Sequence, residues 1–282
     1  MIKGAAVARH VDIVGFGRVG RALAGSLARA GYAVRAWTPT PRGRAGEDVE
    51  VHEGAMPTGF PSGDLVFLAV SDRAIESVAK ALPLGEGQIV AHLSGAAGLD
   101  VLDVAAARGA EVGSLHPLVS VPPGASELPP CHAAVDGTDA ARRALERLAR
   151  ELGLRPFHLP AERRGLYHAA ASLAANGLVA LSSLAARLLE SMGMERKEAV
   201  EALLPLVGSA VEAVRSRGIP AALTGPVARG DAETVRRHLQ ALAGSDAETA
   251  YRALMQEALA LARELGEANE SALDTIAALL RK

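Results

Sequence analysis

Gly15-Phe16-Gly17-Arg18-Val19-Gly20 constrains the fold more than any other stretch of the chain. It fits G-x-G-x-x-G and lies between a short extended run at 11–14 and a helical stretch at 19–30 that Gly31 can cap. In that setting each glycine has a task. Gly15 permits the tight turn out of the strand, Gly17 lets backbone approach a pyrophosphate, and Gly20 lets the helix pack closely on the strand. The helix N-terminus adds free N–H groups and the positive end of its dipole. The rival reading is a glycine-rich turn that only satisfies sheet packing.

The pattern downstream extends the first of these readings. Runs at 33–37, 65–70, 89–93, 111–115, 132–135 and 156–159 read as strands, and segments at 74–81, 99–107 and 140–152 as helices. Strands alternating with helices make an α/β fold with a doubly wound parallel sheet. After Pro160 the alternation stops. Helical stretches at 163–192, 196–217, 232–243, 248–265 and 271–280 follow with no convincing strand. The expected division is a dinucleotide-binding domain at 1–160 and an all-helical substrate and dimerisation domain at 161–282.

Composition narrows the function classes. The net charge of −2 offers no basic excess for nucleic acid or anionic lipid. Cys131 is the one cysteine, which excludes an internal disulfide and a cysteine zinc cluster and suits a reducing cytoplasm. No histidines and carboxylates have metal-site spacing. The start of the chain shows no cleavable targeting pattern. The low-charge stretch 169–186 is alanine-rich and interrupted by Ser172, Asn176, Ser182 and Ser183, so it reads as a buried helix rather than a bilayer span.

An acidic residue at the end of the second strand would select NAD. This chain has Trp37-Thr38-Pro39-Thr40-Pro41-Arg42-Gly43-Arg44 there, and the first acid is Glu47. Hydroxyls and guanidinium groups at Thr38 and Arg42 suit the 2′-phosphate of NADP, so NADP is expected over NAD. The carboxyl rim of such a sheet, where ligands bind, should carry Val70-Ser71-Asp72, Ser94-Gly95-Ala96 and His116-Pro117-Leu118. Val70, Ser71 and Ser94 are expected to line the cofactor. Asp72 reads as a helix N-cap. His116 either takes part in chemistry or orders the loop through a backbone hydrogen bond.

The first helix beyond the boundary carries Tyr167, His168, Ser172 and Asn176; the last three are spaced i, i+4, i+8. Such a polar stripe needs partners, and either a substrate or a neighbouring helix supplies them. In the loop 223–231, Arg229 could clamp a carboxylate while Asp231 caps the next helix. His238 reads as a packing or surface residue.

Together Gly15 to Gly20, His92-Leu93-Ser94-Gly95-Ala96, Ser114-Leu115-His116-Pro117-Leu118, Tyr167-His168-Ala169-Ala170 with Asn176, and Leu223 to Asp231 carry a resemblance. The chain resembles the Rossmann-like proteins with a helical C-terminal domain of formerly unknown function. That group is similar in architecture to ketopantoate reductase, pyrroline-5-carboxylate reductase and the 6-phosphogluconate dehydrogenase superfamily. The resemblance implies a reductase, and for some members a ketopantoate-reducing role. One departure matters: the better-known hydroxyacid dehydrogenases and ketopantoate reductase place a lysine one turn before the asparagine, where this chain has Ser172. His168 is then the natural proton donor, Asn176 the orienting residue and His116 the competing donor. Ser172, Ser94 and Arg229 are expected on the substrate. The resulting expectation is an NADP-dependent reductase of a small 2-oxo acid, homodimeric through its C-terminal helices. Its rival is a dinucleotide-binding regulatory or scaffold protein without turnover.

Overall fold

The computed structural model describes residues 10–40 and 48–281. By contacts the chain divides into two compact units between Ala175 and Asn176.

The first unit is built on one eight-stranded sheet, from β1 (His10–Val14), β2 (Ala33–Thr38), β3 (Val49–Glu53), β4 (Leu65–Leu68), β5 (Ile89–His92), β6 (Glu111–Pro117), β7 (His132–Gly137) and β8 (Arg155–His158). Their spatial order is β3-β2-β1-β4-β5-β6-β7-β8. All neighbours pair parallel except β6 and β7. The sequence reading treats every strand as parallel, so β7 is a correction. Parallel neighbours need a crossover, normally a helix. The connection from β6 to β7 instead runs through Pro122, Pro123, Pro129 and Pro130 and contains no helix. β3 is also new. Its sequence, Val-Glu-Val-His-Glu, alternates apolar with charged residues as an edge strand does, and only Val49 and Val51 pack against the core.

Period-two alternation sets up the two covered faces. On β1 and β4, Val11, Ile13, Leu65 and Phe67 enter the layer filled by α1 (Arg18–Arg29) and α4 (Asp139–Glu151). Val14, Val66 and Leu68 enter the opposite layer with α2 (Asp72–Ala81) and α3 (Asp103–Ala107). Strands covered on both faces must be continuously apolar, which is why these runs are legible. Asp12 is the exception within its run. It is fully buried, and accepts hydrogen bonds from Arg35 Nε and Nη2 at 2.9 and 2.8 Å and from the Ser62 and Gly63 N–H groups at 2.6 and 2.7 Å.

The first unit ends in α5 (Arg164–Ser172). A π turn, Leu173–Gly177, separates it from α6 (Leu178–Glu190). The turn inserts a residue into the helical winding, so the i, i+4, i+8 spacing stops holding at Ser172.

The second unit is helical throughout. α8 (Ala232–Leu242), α9 (Asp246–Leu265) and α10 (Glu270–Arg281) share a small core of Val235, Leu239, Leu259, Leu273, Ile276 and Leu280. α6 and α7 (Arg196–Arg217) pair with each other but bury only Ala186 and Ala199. The stretch 169–186, expected to be buried, is therefore largely exposed in the single chain. The helical segment Ala161–Glu190 is long and apolar enough to cross a membrane. Its first turn is nevertheless fastened into the sheet unit by a buried Arg164.

Candidate cofactor site and active site

Strand order reverses direction between β1 and β4, and ligands of such sheets sit at that switch point. The glycine turn lies there. Gly15 has φ +102°, and its N–H donates to Trp37 O at 2.8 Å. A Cβ on Gly15 would stand 2.5 Å from Ala69 O, and one on Gly20 would stand 2.5 Å from Gly15 O and 2.9 Å from Ala69 Cβ. These two glycines are required by the protein's own packing. Gly17 is not: its φ of −75° suits any residue, and an added Cβ would meet nothing within 4 Å. The space beside Gly17 is thus open at the mouth of α1, whose first turn carries no acidic residue and no side-chain cap. That combination fits a bound pyrophosphate, which needs close backbone approach and unpaired N–H donors.

The remaining loop residues divide by side chain. Arg18 is exposed on the first turn of α1. Phe16 is buried in the core with the Arg21 guanidinium over its ring, and Val19 packs beside that core, so both can offer a ligand only their backbone. Thr38 is buried and donates its hydroxyl hydrogen to Thr40 O at 3.1 Å. It therefore has no hydrogen left for a phosphate, which shifts that expectation toward the residues after it. Arg42 lies outside the described residues. Val70 and Ser71 follow β4 at the rim, Val70 half-buried and Ser71 exposed. α2 begins at Asp72, so Ser71 holds the capping position and Asp72 sits inside the first turn, a correction of one residue.

The ends of β5 and β6 are held by a polar cluster that sequence reasoning misses. Arg164, on α5, is 3% exposed and donates to Asp136 Oδ2 at 3.0 Å, Ser114 Oγ at 2.9 Å and Ser94 O at 3.4 Å. Ser94 is buried, and its hydroxyl accepts from the Ala96 and Ala97 N–H groups at 3.1 and 2.9 Å, so it shapes the loop it begins. His92 is fully buried; its Nδ1 accepts from Ser94 N at 3.2 Å and its Nε2 donates to Gly98 O at 3.1 Å. Burial first, and then the Arg164 charge, lowers the His92 pKa to about 4. No periodicity betrays Arg164, since one buried cation leaves no repeat. The signal is Asp136, which follows the small apolar run Ala133-Ala134-Val135 near the end of β7.

His116 ends β6 half-buried. Its Nδ1 lies 2.6 Å from the Tyr167 hydroxyl, not on a backbone group, which corrects the structural reading of this histidine. Burial, and then the charges of His168 and Arg164, lowers its pKa to about 4. His168 is exposed on α5 and makes no side-chain hydrogen bond among the described residues, and Ser172 is half-buried one turn on.

In the second unit, Asn176 is exposed and lies within the π turn. Arg229 is exposed in the loop before α8, and Asp231 caps α8 as expected, accepting from Thr234 N at 3.0 Å. His238 is a surface residue whose Nδ1 lies 2.8 Å from the Tyr251 hydroxyl.

A largely parallel sheet with a glycine turn at its switch point, followed by a helical region, defines a Rossmann-type protein with a helical C-terminal domain. Residues 3–117 match the Rossmann-like domain family, and residues 131–258 match a domain of unknown function, DUF2520. Each match covers less than half of the chain. The second match begins with β7, inside the sheet, so it does not coincide with the contact division at Ala175. Comparison with curated proteins finds no match. Among solved structures the chain is similar to a protein from Thermotoga maritima, at 23% identity and a TM-score of 0.69 over 90% of this chain and 98% of that one. It is also similar to the pyrroline carboxylate reductase of Plasmodium falciparum with NADP bound, at 12% identity and a TM-score of 0.58 over 92% and 98%. A third is the reductive aminase of Aspergillus terreus in complex with NADPH, at 17% identity and a TM-score of 0.56 over 96% and 92%. These likenesses define a shared fold.

Proposed function

We propose that the protein is an NADP-dependent oxidoreductase that reduces a small carbonyl compound, with 2-oxo acids as the substrate class. The observation that carries this reading is Gly17, a glycine that the protein's packing does not require, at the mouth of an uncapped helix on the switch point. The backbone of Gly15 to Gly20 holds the pyrophosphate, and Val70, Ser71 and Ser94 border the nicotinamide side. NADP is favoured over NAD because guanidinium groups, Arg42 and Arg44, stand where an NAD-binding chain holds an acid. The NADP and NADPH named for the pyrroline carboxylate reductase and the reductive aminase support the same choice. When bound, the cofactor supplies a hydride; the chain binds, orients and polarises. Within the first unit, Ser172 orients the substrate, and His168 and His116 are the candidate donors to the carbonyl oxygen.

We further propose a homodimer formed through α6 and α7. Val179 on α6 and Leu204 and Leu206 on α7 are between 59% and 70% exposed, and a second copy is the partner that the chain always has at hand. Covering that face keeps the protein in the aqueous cytoplasm.

The test is NADPH consumption by the purified protein across 2-oxo acids, simple aldehydes and cyclic imines. The highest kcat/KM should fall on a 2-oxo acid. A higher value on a cyclic imine would move the substrate class. Tight NADPH binding with no turnover on any compound would leave a dinucleotide-binding protein without catalysis.

A further inference from the structure

Tyr167 belongs to no cofactor-holding element, yet its hydroxyl is hydrogen-bonded to His116 at the rim. Oη lies 2.6 Å from His116 Nδ1, and the two rings meet edge to face at 88° with centroids 5.5 Å apart. Phe157 also packs edge-on against Tyr167, at 5.9 Å between centroids. The imidazole lies over Gly95, where an added Cβ would stand 2.8 Å from Cε1 and 2.9 Å from Nε2. His116 is therefore held by β6, by the glycine after β5 and by α5.

Chemistry decides which atom carries the hydrogen. Both groups are neutral near pH 7: burial pushes the Tyr167 phenol up to about 12, and burial and neighbouring positive charge bring His116 down to about 4. A separation of 2.6 Å is short for N–H···O and ordinary for an O–H donor. The phenol is also the stronger acid and the imidazole nitrogen the stronger base. Tyr167 thus donates and Nδ1 accepts. A neutral imidazole has one N–H, which must then sit on Nε2. That nitrogen has no hydrogen-bond partner among the described residues.

We propose that His116 Nε2–H is the hydrogen-bond donor to the carbonyl oxygen of the substrate, and that Tyr167 is the positioning residue that fixes this tautomer. The inference rests on the reductase reading above. As the carbonyl carbon gains hydride from the cofactor, the π pair of the C=O bond moves to oxygen. Nε2–H meets the charge that develops there. The proton that completes the alcohol comes from water, so His116 stays neutral throughout. A hydrogen-bond donor that is already neutral does not depend on being protonated.

Two measurements test this together. Heteronuclear NMR of the imidazole nitrogens, on protein saturated with NADP, should show His116 protonated at Nε2 and not at Nδ1. Tyr167→Phe keeps the ring and its packing but should give a tautomer mixture. With the 2-oxo acid turned over best, Tyr167→Phe should lower kcat by roughly tenfold. His116→Ala should lower it by ~10²–10³. KM for NADPH should stay within a fewfold in both. A wild-type His116 protonated at Nδ1 overturns the proposal whether or not the protein turns over. So does wild-type kcat in both variants of a protein that does reduce 2-oxo acids. Absence of turnover on every carbonyl compound, with the Nε2–H tautomer present, removes the reductase reading and the proposed contact with it, a pattern distinct from the other two.

Discussion

Buried polar side chains organise the rim residue by residue, and they make it sensitive to acid. His92 and His116 both have their pKa lowered from 6.5 to about 4 by burial. The unfolded chain binds protons on these side chains between about pH 6.5 and 4 while the folded chain does not, so stability falls as the pH drops through that window and is unaffected above it. Urea unfolding should give a lower stability at about pH 5 than at about pH 7, by roughly 2 kcal/mol for fully buried His92 and less for His116. Equal stability at the two pH values would show that these rings are not held neutral. Arg164 is a second case. Its guanidinium is paired with Asp136 in a buried site, and removing one partner leaves the other charge uncompensated. Arg164→Ala should destabilise the first unit by about 3–5 kcal/mol in urea unfolding. A loss under about 1 kcal/mol would mean that the pair is as weak as an exposed one.

Elements were legible in proportion to how far a single segment determines them. β4 is apolar on both faces, β1 is so apart from Asp12 and β5 apart from His92, and α1 follows a glycine signature, so local pattern suffices. β3 was illegible because an edge strand has little apolar face, and the direction of β7 because pairing partners are distant in sequence. The candidate site divides in the same way. The glycine turn and the His116 rim can be read from spacing, whereas the bond from His116 to Tyr167 joins residues 51 apart and no motif encodes it. The stretch 169–186 reads as buried because its composition is that of a core helix; what composition does not say is which molecule covers it. Covering by a second copy predicts that light scattering gives a dimer mass at micromolar concentration. Leu206→Glu on α7, 67% exposed in the single chain, should convert it to a folded monomer. A monomeric wild type, or a Leu206→Glu variant that stays dimeric, contradicts the α6–α7 interface.

For the molecule as a whole, the first unit is proposed to be a dinucleotide site and not merely a sheet with a glycine-rich turn. The three glycines separate these possibilities because the fold needs only two of them. Gly15 and Gly20 face Ala69 and each other at distances that no Cβ can occupy, so alanine at either position should lower stability whatever the protein binds. Gly17 faces open space in an ordinary backbone conformation, so alanine there costs the fold nothing and stands only in the way of a ligand. The most direct measurement is therefore calorimetric titration of NADPH into wild-type protein and Gly17→Ala, with thermal unfolding of both. The unfolding temperature should be unchanged and the NADPH affinity weakened by at least roughly tenfold, about 1.4 kcal/mol. Equal NADPH affinity in the two proteins, or no NADPH binding by the wild type, would contradict it.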